Sequence, residues 1–251
     1  MKWRISDGIL IPKVDNPVTT EIEGQFRQIA LMNVEAKLFW SLVSQRLYNH
    51  LVTENKIINT TIQKGAIMGI PGCWEHINMV WTALRDARER RTSLTTIWLD
   101  LENAFGSVPH NLILFALRRY GVPEKWINLI KMYYDGLWGR TRAGGVTSEW
   151  WRYEKGIFAG CTLSVILFLA AMNVIIEYAL QGKTPTYKMK NGDPLSILRA
   201  FMDDLMLMLK SVRDAEVVLR RLIVVLDWAR MNNLKAGKSQ SLVMVRGRLR
   251  V

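Results

Sequence analysis

Very little in this chain can hold a disulfide framework or a zinc ion. Its 251 residues include two cysteines, Cys73 and Cys161, and three histidines, His50, His76 and His110. Two cysteines build no disulfide scaffold and suit a reducing compartment. The histidines lack zinc-ligand spacing with them. No G-x-x-x-x-G-K-[ST] occurs, which excludes P-loop chemistry. Internal repeats, low-complexity tracts and Pro/Gly-rich linkers are missing, so one compact unit of subdomains is expected. The opening "MKWRISDGILIPK" is no signal peptide, because Asp7, Pro12 and Lys13 interrupt its apolar residues. One run reaches membrane-spanning length, "TLSVILFLAAMNVIIEYAL" from Thr162 to Leu180. Asn173 and Glu177 lie inside it, and it reads as a buried core helix with no membrane partner.

Acid is scarce as well. Asp and Glu number 22 against 34 Lys and Arg, a formal charge of +12. Such a balance suits a polyanion such as nucleic acid, bound with salt-sensitive affinity, although a solvated basic surface gives the same count. Hydrophobic residues make up 49%, enough for a large core.

What is present is mixed. "WRISDGILIPKVDNP" predicts a strand ending at Pro12 and a polar turn. "NVEAKLFWSLVSQRLYNHL" predicts a helix capped by Asn33, with Leu38/Phe39, Leu42/Val43, Leu47 and Leu51 as its apolar side. A Gly/Pro turn and a helix with a basic end follow in "GIPGCWEHINMVWTALRDARERR". "LTTIWLD" predicts a strand. Two helices follow, with Pro109 at the first helical position of one and Gly121 closing it, then Pro123 and Gly136 around the next. "GRTRAGGVTSEWWRYEKG" predicts a hairpin turning at Gly144 and Gly145. The apolar helix precedes "ILRAFMDDLMLMLKS", a helix opened by Asp214, and a last strand in "SQSLVMVRG". This order is not a regular strand–helix alternation. It predicts an α+β fold with helices on one face of an antiparallel sheet.

The anomaly is "FMDD". Asp203 and Asp204 sit side by side in an apolar run. At ~4 Å and an effective dielectric of about 20, two carboxylates repel by about 4 kcal/mol. Arg199 and Lys210 are the nearest basic residues in sequence, and neither spacing guarantees contact. A divalent cation with oxygen ligands, such as Mg²⁺, answers the repulsion and leaves room for substrate phosphates. Successive strand side chains alternate faces, so both acids share a site only if the backbone turns there. A tight hairpin between "RAFM" and "LMLML" is therefore expected. Asp100, at the end of "TTIWLD", is the candidate third carboxylate; capping a turn is its alternative role.

The ordered set of segments resembles the reverse transcriptases of non-LTR retrotransposons. "LDLENAF" and "AFMDD" are similar to motifs A and C. "ILIPK" and "FRQIALMNVEAKLFWSLVSQRL" resemble the fingers, and "QKGAIMGIPGCWEHI" the segment before motif A. "KGIFAGCTLSVILF" resembles motif B, and "WARMNNLKAGKS" motif D. The resemblance implies a right-hand fingers–palm core, with fingers over 1–94 and an antiparallel palm sheet backed by helices over 95–251. It implies two Mg²⁺ ions, or Mn²⁺, held by Asp100, Asp203, Asp204 and the carbonyl of Leu101. It implies an RNA template, a DNA primer and a dNTP as partners. Lys13 and Arg27 would grip the triphosphate, Phe105 would exclude a 2′-hydroxyl, and Gly160 would let the backbone approach the nucleotide. Lys238 would protonate pyrophosphate, with Lys235 as a competing assignment. Phe105 as ordinary core packing is the alternative reading of that residue.

Motif B departs from the family pattern at Ala159, Cys161 and Val165, where a Gln, an acid and a proline are common. No thumb follows motif D, so a fingers–palm core or a truncated copy is expected. A nuclear site is implied by the family, although no targeting run is seen. Two other readings stand beside the polymerase: a non-catalytic nucleic-acid-binding remnant, and a related polymerase or maturase.

Overall fold

The computed structural model describes residues 2–15, 25–143 and 145–250. The strands are β1 (Ile5–Pro12), β2 (Phe26–Met32), β3 (Leu94–Leu99), β4 (Trp138–Ala143), β5 (Val146–Thr147), β6 (Trp151–Arg152), β7 (Leu198–Phe201), β8 (Asp204–Leu209), β9 (Gln240–Val245) and β10 (Arg248–Arg250). The helices are α1 (Val34–Tyr48), α2 (Cys73–Glu89), α3 (Ala104–Ser107), α4 (His110–Arg119), α5 (Glu124–Asp135), α6 (Thr162–Ala179) and α7 (Val212–Ala229). The chain forms two units that interleave in sequence: Met1–Asn55 with Phe105–Phe168, and Lys56–Ala104 with Leu169–Val251.

The first unit carries a mixed sheet in which β1 pairs antiparallel with β2 and parallel with β4, and β4 takes β5 and β6. Strand β2 was not foreseen; its "FRQIALM" ran into the helical pattern that follows. Asn33 caps α1 as expected, its side chain accepting from the Glu35 and Ala36 N–H groups at 2.9 and 3.4 Å. The apolar side of α1 is different from the expected one. Ala36, Trp40, Val43 and Leu47 are buried, while Leu38 and Leu42 are 65% and 67% exposed. Apolar residues lie on more than one side of the helix, so pairs four apart marked two faces at once. Pro109 is the residue before α4, extended at ψ 139°, and its carbonyl accepts from Leu112 N–H. Its locked φ suits that position as well as the first helical one. Gly145 sits at φ +81° next to the β4–β5 pairing; Gly144 lies outside the described residues.

The second unit is built on an antiparallel sheet ordered β10-β9-β3-β8-β7. Every residue from Leu205 to Leu209 is buried. Met206 and Met208 pack with Leu94, Met244 and the α2 residues Ala83 and Ala87. Leu205, Leu207 and Leu209 face the other way, and α7 packs against β8 and β3. Helices therefore cover both faces where one was expected, which is why this stretch reads as an unbroken apolar run. Helix α7 starts before Asp214: the Ser211 hydroxyl caps it by accepting from Asp214 N–H and is itself oriented by donating to the Asp214 carboxylate at 2.7 Å. Asn173 of α6, 4% exposed, uses its amide on Asn59 N–H, the Ile57 carbonyl and Glu177, so these two polar residues of the apolar helix satisfy each other and the neighbouring backbone.

Candidate active site

The apolar run does turn. Phe201 pairs with Asp204, leaving Met202 and Asp203 as a two-residue hairpin loop. Met202 adopts φ +57°. A non-glycine residue there costs roughly 1–2 kcal/mol, but positive φ at the first loop position matches the twist of the strands. Leu99 pairs with Leu205, so Asp100 emerges from the central strand beside the hairpin that carries Asp204. The three carboxylates interact. Partial burial of its carboxyl, then the charge of Asp203, then that of Asp100, push the Asp204 pKa up, and Lys238 opposes them.

Motif D lies against the same strand end. Lys235 N–H donates to the Asp100 carbonyl at 2.8 Å, and Glu102 N–H donates to the Asn233 carbonyl at 3.2 Å. These bonds flank the Leu101–Leu234 bridge, so the Leu101 carbonyl takes no part in it. The Lys238 ammonium stands 3.9 Å from the Asp100 carboxylate, whereas Lys235 reaches Glu102 at 3.8 Å. Three carboxylates offer the oxygen donors and negative charge that a hard divalent ion takes. Among the described residues, no three Asp, Glu, His or Cys side chains already close on one metal-sized point. The donor set fits by chemistry and by mutual charge.

The other expected residues lie in the first unit. Register places Arg27 opposite Ile11 and Lys13 beside Gln25, so the two exposed cations are diagonal neighbours on the β1–β2 hairpin. Phe105 is half-buried, stacked on Phe168 with centroids 4.4 Å apart and planes 11° apart. Packing thus explains one face of its ring. Gly160 has φ +120°, and a Cβ there would lie 2.5 Å from the Ala30 carbonyl oxygen. Ala30 N–H donates to Ala159 at 2.8 Å, so this glycine permits a close approach to β2.

The sequence model of the family "Reverse transcriptase (RNA-dependent DNA polymerase)" matches residues 11–246. The chain belongs to that family. Among similar proteins, the retrovirus-related Pol polyprotein from the type-2 retrotransposable element R2DM of Drosophila melanogaster is 26% identical over 86% of this chain and 19% of its own length. The Pol polyprotein from a type-1 element R2 of Popillia japonica is 28% identical over 96% of this chain and 32% of its own length. The chain therefore spans a third or less of these relatives, and they agree with a non-LTR retrotransposon reverse transcriptase domain. In fold it is similar to apo telomerase from Candida tropicalis, with TM-score 0.67 and 12% identity over 99% of this chain and 48% of that one. Telomerase from Candida albicans, solved with a TWJ fragment of telomeric RNA, gives TM-score 0.66 and 10% identity over 96% and 42%.

One residue beside this reverse transcriptase hairpin escaped sequence reasoning. Gln63, 3% exposed, accepts from Met202 N–H at 2.8 Å and donates to the Met202 carbonyl at 3.1 Å. The only signal was a glutamine in "QKGA", in a segment matched by resemblance but given no role.

Proposed function

We propose that this chain is the polymerising core of an RNA-directed DNA polymerase, with the second unit's sheet as its palm. The expected fingers–palm boundary at 94/95 belongs to the same proposal. The observation that carries the reading is the register that brings Asp100, at the end of β3, beside the hairpin turn holding Asp203 and Asp204. Asp100, Asp203, Asp204 and the Leu101 carbonyl would hold two Mg²⁺ ions. Bound there, such ions supply Lewis-acid activation of the primer 3′-hydroxyl and neutralise the leaving pyrophosphate.

The chain's own residues do the rest. The hairpin holds two carboxylates on one turn, and the central strand holds the third. Lys238, already beside Asp100, is the acid that gives a proton to the leaving pyrophosphate; Lys235, paired with Glu102, is the weaker assignment. Lys13 and Arg27 grip the triphosphate, and a guanidinium suits its oxygens bidentately. Phe105 presents its unstacked side to the sugar of the incoming dNTP. Gly160 brings the Ala159–Cys161 backbone to the nucleotide. RNA template and DNA primer are the partners, and the nucleus is the place where such an enzyme meets DNA.

Primer extension on an RNA template with Mg²⁺ tests this reading. The native chain should incorporate dNTPs, and the D203A/D204A double variant should not. Equal incorporation by the two would refute it. Salt-sensitive nucleic-acid binding without extension, unchanged by the double substitution, would favour a binding remnant instead.

A further inference from the structure

We propose that Gln63 is a positioning residue that sets the turn carrying Asp203 and Asp204 and, through it, the metal affinity of the site. The inference rests on the polymerase reading above and deepens it. One side-chain amide satisfies both backbone polar groups of Met202, as a neighbouring strand would. Met202 is also where the backbone takes its strained positive φ. The residue that needs holding is the one that is held.

The clamp is itself held. Ala200 N–H donates to the Ile62 carbonyl and Lys64 N–H donates to the Ala200 carbonyl, both at 2.9 Å, so residues 62–64 run parallel beside β7. The Gln63 amide oxygen also accepts from Gly65 N–H at 2.9 Å. A Cβ on Gly65 would sit 2.4 Å from Met202 N, so only glycine allows the segment to fold back this closely. Buried donors and acceptors are normally matched. Here the matching fixes an amide that ties its own segment, at Gly65, to the turn residue between β7 and the two acids. Aliphatic packing would fill the space without fixing the direction of the Met202 peptide. Groups that orient metal ligands from behind typically change metal affinity 10- to 100-fold when removed.

The test uses the full chain and Mn²⁺ as the probe, titrated by electron paramagnetic resonance. Gln63→Met keeps length and removes both hydrogen bonds to Met202 along with the one from Gly65; Mn²⁺ binding should weaken about tenfold or more. Met202→Gly removes the cost of positive φ, so adding Gln63→Met to it should weaken binding several-fold less than in the native background. Affinity of Gln63→Met within about twofold of native, or an equal loss in both backgrounds, overturns the proposal. Should Gln63→Met fail to fold, amide exchange in the native chain decides: Met202 N–H should be protected, and exchange at the rate of an open loop overturns the clamp. Asp204→Asn separates the two levels. If it binds Mn²⁺ as the native chain does, the metal reading fails and takes the clamp with it. If it loses binding while Gln63→Met keeps it, only the clamp fails.

Discussion

Replacing Asp204 by Asn should make the folded chain more stable while removing metal affinity. Its raised pKa means that the fold disfavours the ionised carboxylate, through burial, Asp203 and Asp100 in that order. Side chains on paired strands stand roughly 5.5 Å apart. At that distance one like charge costs roughly 0.8 to 3 kcal/mol as the effective dielectric falls from 80 to 20. Asp204 is exposed, so solvent screening holds the total near the lower end, about 1 kcal/mol. For a chain of this size that is about 2–4 °C in Tm. The penalty exists only when Asp204 is ionised in the fold. It is full above the raised folded pKa and vanishes below the unfolded value of about 3.9. Asp204→Asn should therefore melt above the native chain at pH 7, with the gap closing toward pH 4. Added Mg²⁺ should raise the native Tm and leave the variant unmoved. A variant that melts below the native chain at pH 7, or a gap independent of pH, would refute the reasoning.

Three further outcomes follow from the same geometry. Lys238→Met should slow single-nucleotide extension about 100-fold with little change in Tm, while Lys235→Met should leave the rate within about threefold; the reverse ranking would move the acid to Lys235. Gly160→Ala should destabilise by roughly 2–4 kcal/mol, because the new Cβ meets the Ala30 carbonyl at 2.5 Å in an unfavourable φ, and denaturant melts will read it. Phe105→Ala should cost roughly 2–3 kcal/mol by removing the stack on Phe168, and should raise ribonucleotide incorporation; a loss of stability alone would leave Phe105 as packing.

The acidic hairpin was legible because it broke a rule. Adjacent strand residues face opposite ways, so two acids in an apolar run demanded a turn, and Phe201 does pair with Asp204. Asp100 was legible as a strand end. Gln63 was not, because it acts on a backbone 139 positions away and no side-chain pattern records the partner. The exposed side of α1 was hidden because Leu38 and Leu42 continue the apolar spacing onto a second face. Asp214 drew attention as a helix opener because its charge stands out, although the hydroxyl of Ser211 three residues earlier makes the cap. Gly160 read as room for a ligand, and the structure adds a second reason in the carbonyl of Ala30.

The face of β8 that packs on α2 is rich in sulfur. Met206, Met208 and Met244 lie in one cluster, with Met79 and Met189 half-buried at its margin. Thioethers fill such irregular space well, but oxidation to the sulfoxide turns an apolar side chain polar. Met206 is two residues from Asp204 on the same strand. Peroxide reaching Met79 or Met189 would wet the face of β8 on which Asp204 itself lies. Oxidised chain should therefore melt below the reduced chain.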